Sequence, residues 1–192
     1  MDAPLVRPRH TYEDLLAVSP RGQQSELFDG ELFASPVPTL LHQRAAQRLT
    51  RAFEEALRDG SRVVPSPVDV ILARDTVARP DLLVVLADHL AIVEGAGFAG
   101  AAAATVHGAP DLILEVLSPA TVRLDRVIKM DVYARYSVPE LWLVDGTAKG
   151  IEIFRLDRHA QLYRLTETCR SGDWARTPLV PGLAIEVARL FS

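Results

Sequence analysis

Residues 110–117 read PDLILEVL, a strand apolar on both faces apart from one carboxylate, Glu115. Ile113, Glu115 and Leu117 share one face; Leu112, Leu114 and Val116 share the other. A carboxylate there is costly unless it is paired, protonated or bound to a metal. A second central strand opens the same way, PDLLVVL over 80–86. If the two run antiparallel, the start of the first lies beside the end of the second. Asp81 then approaches Glu115, and Asp111 is carried to the far end. Ser118-Pro119 ends the 110–117 strand, and a helix is predicted over 121–136, stopped by Val138-Pro139. ELWLVD (140–145) reads as another buried strand. A strand–helix–strand unit of this length predicts a parallel, right-handed crossover.

Toward the N-terminus, residues 11–18 predict a short helix with Thr11 as N-cap and Asp14 at N3. SELFDGELFAS (25–35) predicts a hairpin about Asp29-Gly30, with Glu26, Phe28, Glu31 and Phe33 on one face. Ala45, Leu49, Ala52, Phe53 and Ala56 predict a helix over 40–58, with Gly60 as its stop. His42 lies at the edge of its apolar face and reads first as a satisfied core histidine. Arg44, Arg48, Arg51 and Arg58 form another stripe, interrupted by Glu55. RVVPSPVDVIL (62–72) is broken by prolines and predicts an edge or bulged strand. The Gly- and Ala-rich stretch within 87–109 predicts a mobile loop. Toward the C-terminus, GIEIFRL and AQLYRL predict a closing hairpin around Asp157–His159, and the tail 178–191 one strand and a short helix.

The chain has 192 residues, 48% of them hydrophobic and 24% charged, enough apolar material for the core of one domain. Its expected parts are an N-terminal helix and hairpin (1–35), a core (40–145) and a C-terminal hairpin and tail (150–192). A net charge of −4 gives no overall attraction to nucleic acid, so any such binding rests on a local patch. Cys169 is the single cysteine, which excludes an internal disulfide and a cysteine zinc site and points to a reducing, cytoplasmic setting. Neither a signal pattern nor an apolar run of membrane-spanning length is expected.

Two carboxylates converging at a sheet end suit a hard cation, Mg²⁺ or Mn²⁺, so Asp81 and Glu115 are the candidate metal ligands. Such a cation polarises a phosphoryl oxygen. Lys129 sits about two turns into the following helix, and helical side chains lean toward the N-terminus, here the end near Glu115. It can orient an attacking water or offset transition-state charge. Tyr133 shares its face. Glu31, from the hairpin, is a further acidic candidate, weighed against a solvated strand face.

These residues carry a resemblance. ELFDGEL, the PDLLVV strand, PDLILEVLSPAT, then Asp125, Lys129 and Tyr133, and VPELWLVD together resemble the Uma-two family, restriction-endonuclease relatives within the PD-(D/E)XK nuclease superfamily. The resemblance implies an α/β fold with an αβββαβ core, a mixed central sheet flanked by helices, here with hairpins added at both ends. It also implies Mg²⁺ dependence and hydrolysis of DNA phosphodiester bonds. Asp81 and Glu115 match the acidic motif positions. The motif lysine falls at Leu117, and Lys129 resembles a displaced lysine on the next helix. Catalytic candidates are thus Asp81, Glu115 and Lys129, with Glu31 and His42 as possible contributors; Arg44, Arg48 and Arg51 are candidate phosphate contacts. Cutting two strands suits a homodimer. Two rivals stay open: a non-catalytic binding or regulatory module, and a metal-dependent phosphoesterase on another substrate.

Overall fold

The computed structural model describes residues 9–19, 24–94 and 104–192. Helix α1 (Tyr12–Val18) carries the full capping box: Thr11 accepts from the Asp14 amide, and the Asp14 carboxylate accepts from Thr11. Strands β1 (Gln24–Phe28) and β2 (Glu31–Ser35) form the hairpin, with Phe28 opposite Glu31 and Glu26 opposite Phe33. Asp29 and Gly30 both take positive φ, 51° and 79°, as the two-residue turn requires. Helix α2 (Leu40–Ala56) starts at Thr39, whose hydroxyl accepts from the His42 amide, and stops two residues earlier than predicted.

The proline-broken stretch is not one bulged strand. It divides into β3 (Arg62–Pro65) and β4 (Val68–Ala73), which enter different sheets. Pro65 and Pro67 cannot donate to a ladder, so pairing ends there and the chain can change sheets. Strands β5 (Thr76–Ala78) and β6 (Leu82–Val85) follow. The stretch expected to be a mobile loop instead contributes, where it is described, a 3₁₀ turn (Ala87–Ile92) and strands β7 (Val93–Glu94) and β8 (Ala104–His107). The remainder, 95–103, lies outside the described residues. Strand β9 (Leu112–Leu117) leads through a π-helical stretch (Leu124–Lys129) directly into α3 (Met130–Arg135), then β10 (Glu140–Asp145). Strands β11 (Gly150–Asp157) and β12 (Leu162–Cys169) are the closing hairpin; β13 (Trp174–Ala175), β14 (Ile185–Glu186) and α4 (Val187–Leu190) form the tail.

Two mixed sheets result. The main one runs β12-β11-β10-β9-β6-β3; the second runs β2-β1-β5-β4-β8-β7. Strands β9 and β10 are parallel across their crossover helix, and β6 is antiparallel to β9 with Leu82 opposite Leu114. On one face of the main sheet, Leu82, Leu114, Val116 and Trp142 pack under Ala45, Leu49 and Phe53 of α2 and Leu183 and Leu190 of the tail. On the other face, Leu83, Ile113 and Leu143 meet Tyr133 of α3 and Phe28, Val70 and Val106 of the second sheet. Helix α1 closes the far side of that second sheet through Leu15, over Leu27 and Val77. No helix among the described residues is long and apolar enough to cross a membrane.

The Phe53 ring meets Trp142 edge-on at 5.7 Å, and both are fully buried. Phe53→Ala should therefore lower unfolding stability by about 3–5 kcal/mol, read as a reduced urea midpoint with an unchanged m-value.

Candidate active site

The ladder between β6 and β9 places Leu82 opposite Leu114, so Asp81 and Glu115 occupy the next position at that sheet end. Asp81 Oδ2 accepts from the Val116 amide at 2.7 Å, which ties it across the strand pair. Its Oδ1 accepts from His42 Nε2 at 2.8 Å. Asp111 goes to the opposite end, where it accepts from the Leu86 amide at 2.8 Å and contacts His89 at 2.6 Å. The antiparallel pairing of β6 and β9 thus separates the two Pro-Asp pairs.

Glu115 points toward the helix after β9. Tyr133 Oη donates to its Oε1 at 2.6 Å, and Lys129 Nζ to the same oxygen at 3.2 Å. The π-helical stretch keeps Asp125, Lys129 and Tyr133, spaced by four, on the buried side. Such wide turns concentrate at functional sites. Lys129 Nζ also lies 3.1 Å from Glu26 Oε2 and 3.2 Å from Asp125 Oδ1. Glu26 is held in turn by the Arg79 amide at 2.8 Å and Ser35 Oγ at 3.2 Å.

Burial raises the Glu115 carboxyl well above its ordinary range; Lys129 opposes the shift, while Asp125, Asp81 and Glu26 reinforce it. Glu26 is raised too, again by burial first. For Lys129, burial alone would lower the pKa, but the carboxylates, Glu115 foremost, reverse that and hold it well above normal. Lys129 is thus a fixed cation. Burial, and then the Glu115 charge, push the Tyr133 phenol up, so its hydroxyl stays a donor.

Three carboxylates, Glu26, Glu115 and Asp125, therefore surround one lysine, and the charge of Asp81 adds to their field. Among the described residues no group of three or more His, Cys, Asp or Glu forms a cage. Asp81 and Glu115 alone suit an ion of the Mg²⁺ type, which binds through one or two carboxylates and keeps waters.

The site opens into a cleft of about 1220 Å³, lined by Asp81, Glu115 and Lys129 and walled by α2 and the segments 35–39 and 118–121. The described parts of 87–109 do not line it; the 3₁₀ turn there sits with Asp111 instead. Of the three arginines, Arg48 donates to the Arg189 and Leu190 carbonyls at 2.7 and 3.1 Å, Arg51 lies 3.8 Å from Glu55, and Arg44 is exposed on the cleft wall. His42 is not a core histidine: it faces Asp81. Glu31 is exposed at the turn, and the hairpin carboxylate that reaches the cluster is Glu26. Glu26 shares a strand face with the buried Phe28, which was the signal for it; Glu31, opposite Phe28, stays exposed.

A family model described as "Putative restriction endonuclease", Uma2, matches residues 10–188. Among solved structures, a protein from Anabaena variabilis described as "a putative nuclease" is similar, with a TM-score of 0.75 at 18% identity. The alignment covers 94% of this chain and 97% of that one, which shows a shared fold. No curated protein matches the chain.

In cation-free buffer, the raised Glu115 carboxyl keeps its proton to higher pH in the folded chain than in the unfolded one. Folding then takes up a proton between the ordinary and the raised pKa, so stability should fall as pH rises through that window. Urea midpoints measured against pH should show this slope in the wild type and a shallower one in Glu115→Gln.

Proposed function

The chain belongs to the Uma2 family of restriction-endonuclease relatives, and from that premise we propose that it is a metal-dependent endonuclease hydrolysing DNA phosphodiester bonds. One observation carries the reading: Asp81 and Glu115 meet at the end of a strand pair on the floor of an open cleft, with a buried lysine against Glu115. Asp81 and Glu115 would hold Mg²⁺ or Mn²⁺. When bound, the ion supplies Lewis-acid polarisation of a phosphoryl oxygen. Lys129, kept cationic by its carboxylates, offsets negative charge that develops at phosphorus as water attacks and the P–O bond breaks. Tyr133 fixes the Glu115 carboxylate by donating to Oε1. Arg44 and Arg51, on the α2 wall, contact backbone phosphates and position the strand without reading bases. A two-fold homodimer would present one such site to each strand. The buried, free Cys169 suits a cytoplasmic setting.

The commitment of Arg48 to the α4 carbonyls favours a second reading, hydrolysis of a smaller phosphoester by the same residues. Fewer free cations on the wall mean fewer phosphate contacts.

Purified protein with Mg²⁺ or Mn²⁺ should nick plasmid DNA, and Glu115→Ala should not; equal cleavage by that variant would assign the activity to a contaminant. Lys129→Gln should lower kcat by about 10²–10³-fold. In the inactive Glu115→Ala background, Arg44→Ala should weaken duplex binding and reduce the salt slope by about 1. A duplex affinity insensitive to salt would favour the smaller substrate.

A further inference from the structure

His42 stands apart from the carboxylate–lysine cluster, on the other side of Asp81. Its backbone amide is fixed at the start of α2 by the Thr39 hydroxyl, at 3.2 Å. One and two turns on, Ala45 and Leu49 anchor the same helix in the core. The imidazole is therefore carried by a rigid element, and its side chain is only 15% exposed. A carboxylate oxygen accepts hydrogen bonds, so the 2.8 Å contact is that of the Nε2–H tautomer directed at Asp81 Oδ1. The Val116 amide holds the other oxygen at 2.7 Å. Asp81 is clamped from two sides, by the backbone of β9 and by α2. It lies just before β6 and is 21% exposed, and among the described residues His42 is the hydrogen-bond partner of Oδ1.

We propose that His42 is a positioning residue for Asp81: it fixes the carboxylate orientation in which Asp81 and Glu115 together take up a divalent cation. The inference rests on the metal-dependent reading above. Partners that orient ligating side chains change metal affinity by about 10–100-fold when removed. What His42 contributes is a directed N–H at one place, not the imidazole as such. A glutamine can supply that N–H from its amide; a phenylalanine keeps the ring shape without a donor, and an alanine removes both.

The test is Mn²⁺ binding by calorimetry to the full chain as wild type, His42→Phe, His42→Ala and His42→Gln, with thermal melts to establish the fold. The Phe and Ala variants should bind Mn²⁺ about 10–100-fold more weakly. The Gln variant should stay close to wild type. Plasmid nicking by the Phe and Ala variants should recover at saturating Mn²⁺, since the defect is in affinity. If the wild type binds Mn²⁺ and all three variants bind it equally well, the role of His42 is wrong while the metal reading stands. If Gln binds as weakly as Phe, the ring itself contacts the ion and the positioning role is overturned. No Mn²⁺ binding by the wild type overturns both.

Discussion

Lys129 is where three elements that are distant in sequence are forced together. Its ammonium lies within 3.2 Å of Glu26 from the hairpin, Glu115 from the central strand and Asp125 from its own helix. All four side chains are at most 5% exposed. Charges so deeply buried are tolerable only when each has a partner, and removing one partner leaves the rest uncompensated. The position of the hairpin on the main sheet, the entry of the helix after β9 and the rotamer of Glu115 thus depend on one ammonium group. The cluster links the two sheets by directional contacts, beside the non-directional apolar packing of Phe28, Leu83 and Ile113.

The same cluster carries an electrostatic imbalance. Carboxylates outnumber the lysine, and the Glu115 and Glu26 carboxyls are raised because burial opposes their ionisation. A fold that keeps such an excess at the floor of a cleft offsets that local cost with the apolar burial on both faces of the main sheet. The lysine contributes a second consequence. Because its surroundings keep it protonated, it is a fixed positive charge.

Much of the scaffold was legible because its signals are local. The doubly apolar β9, the Asp29-Gly30 turn, the Thr11 capping box and the parallel β9–β10 crossover each follow from a few neighbouring residues. The antiparallel pairing of β6 and β9 was an inference from two similar strand openings, and it brought Asp81, not Asp111, to Glu115. Beyond its β1–β2 hairpin, the second sheet was not legible. Its strands are short, and β4 leaves the path of β3 only because prolines interrupt the ladder.

The sequence by itself determined the anomaly that needed explaining, a carboxylate inside an apolar strand, and supplied a lysine and a tyrosine on the helix that follows. Alternation and helical period are properties of the chain, so Glu115, Lys129 and Tyr133 could be placed on faces without knowing the fold. Tertiary structure alone decided which other groups complete the site. Glu26, on β1, enters the cluster, and Glu31, just past the turn, stays exposed. His42 reaches Asp81 because α2 packs against β3 and β9, and Arg48 is drawn away to the α4 carbonyls. Those outcomes depend on how elements dock, and docking is set by burial summed over many residues, which no short stretch of sequence displays.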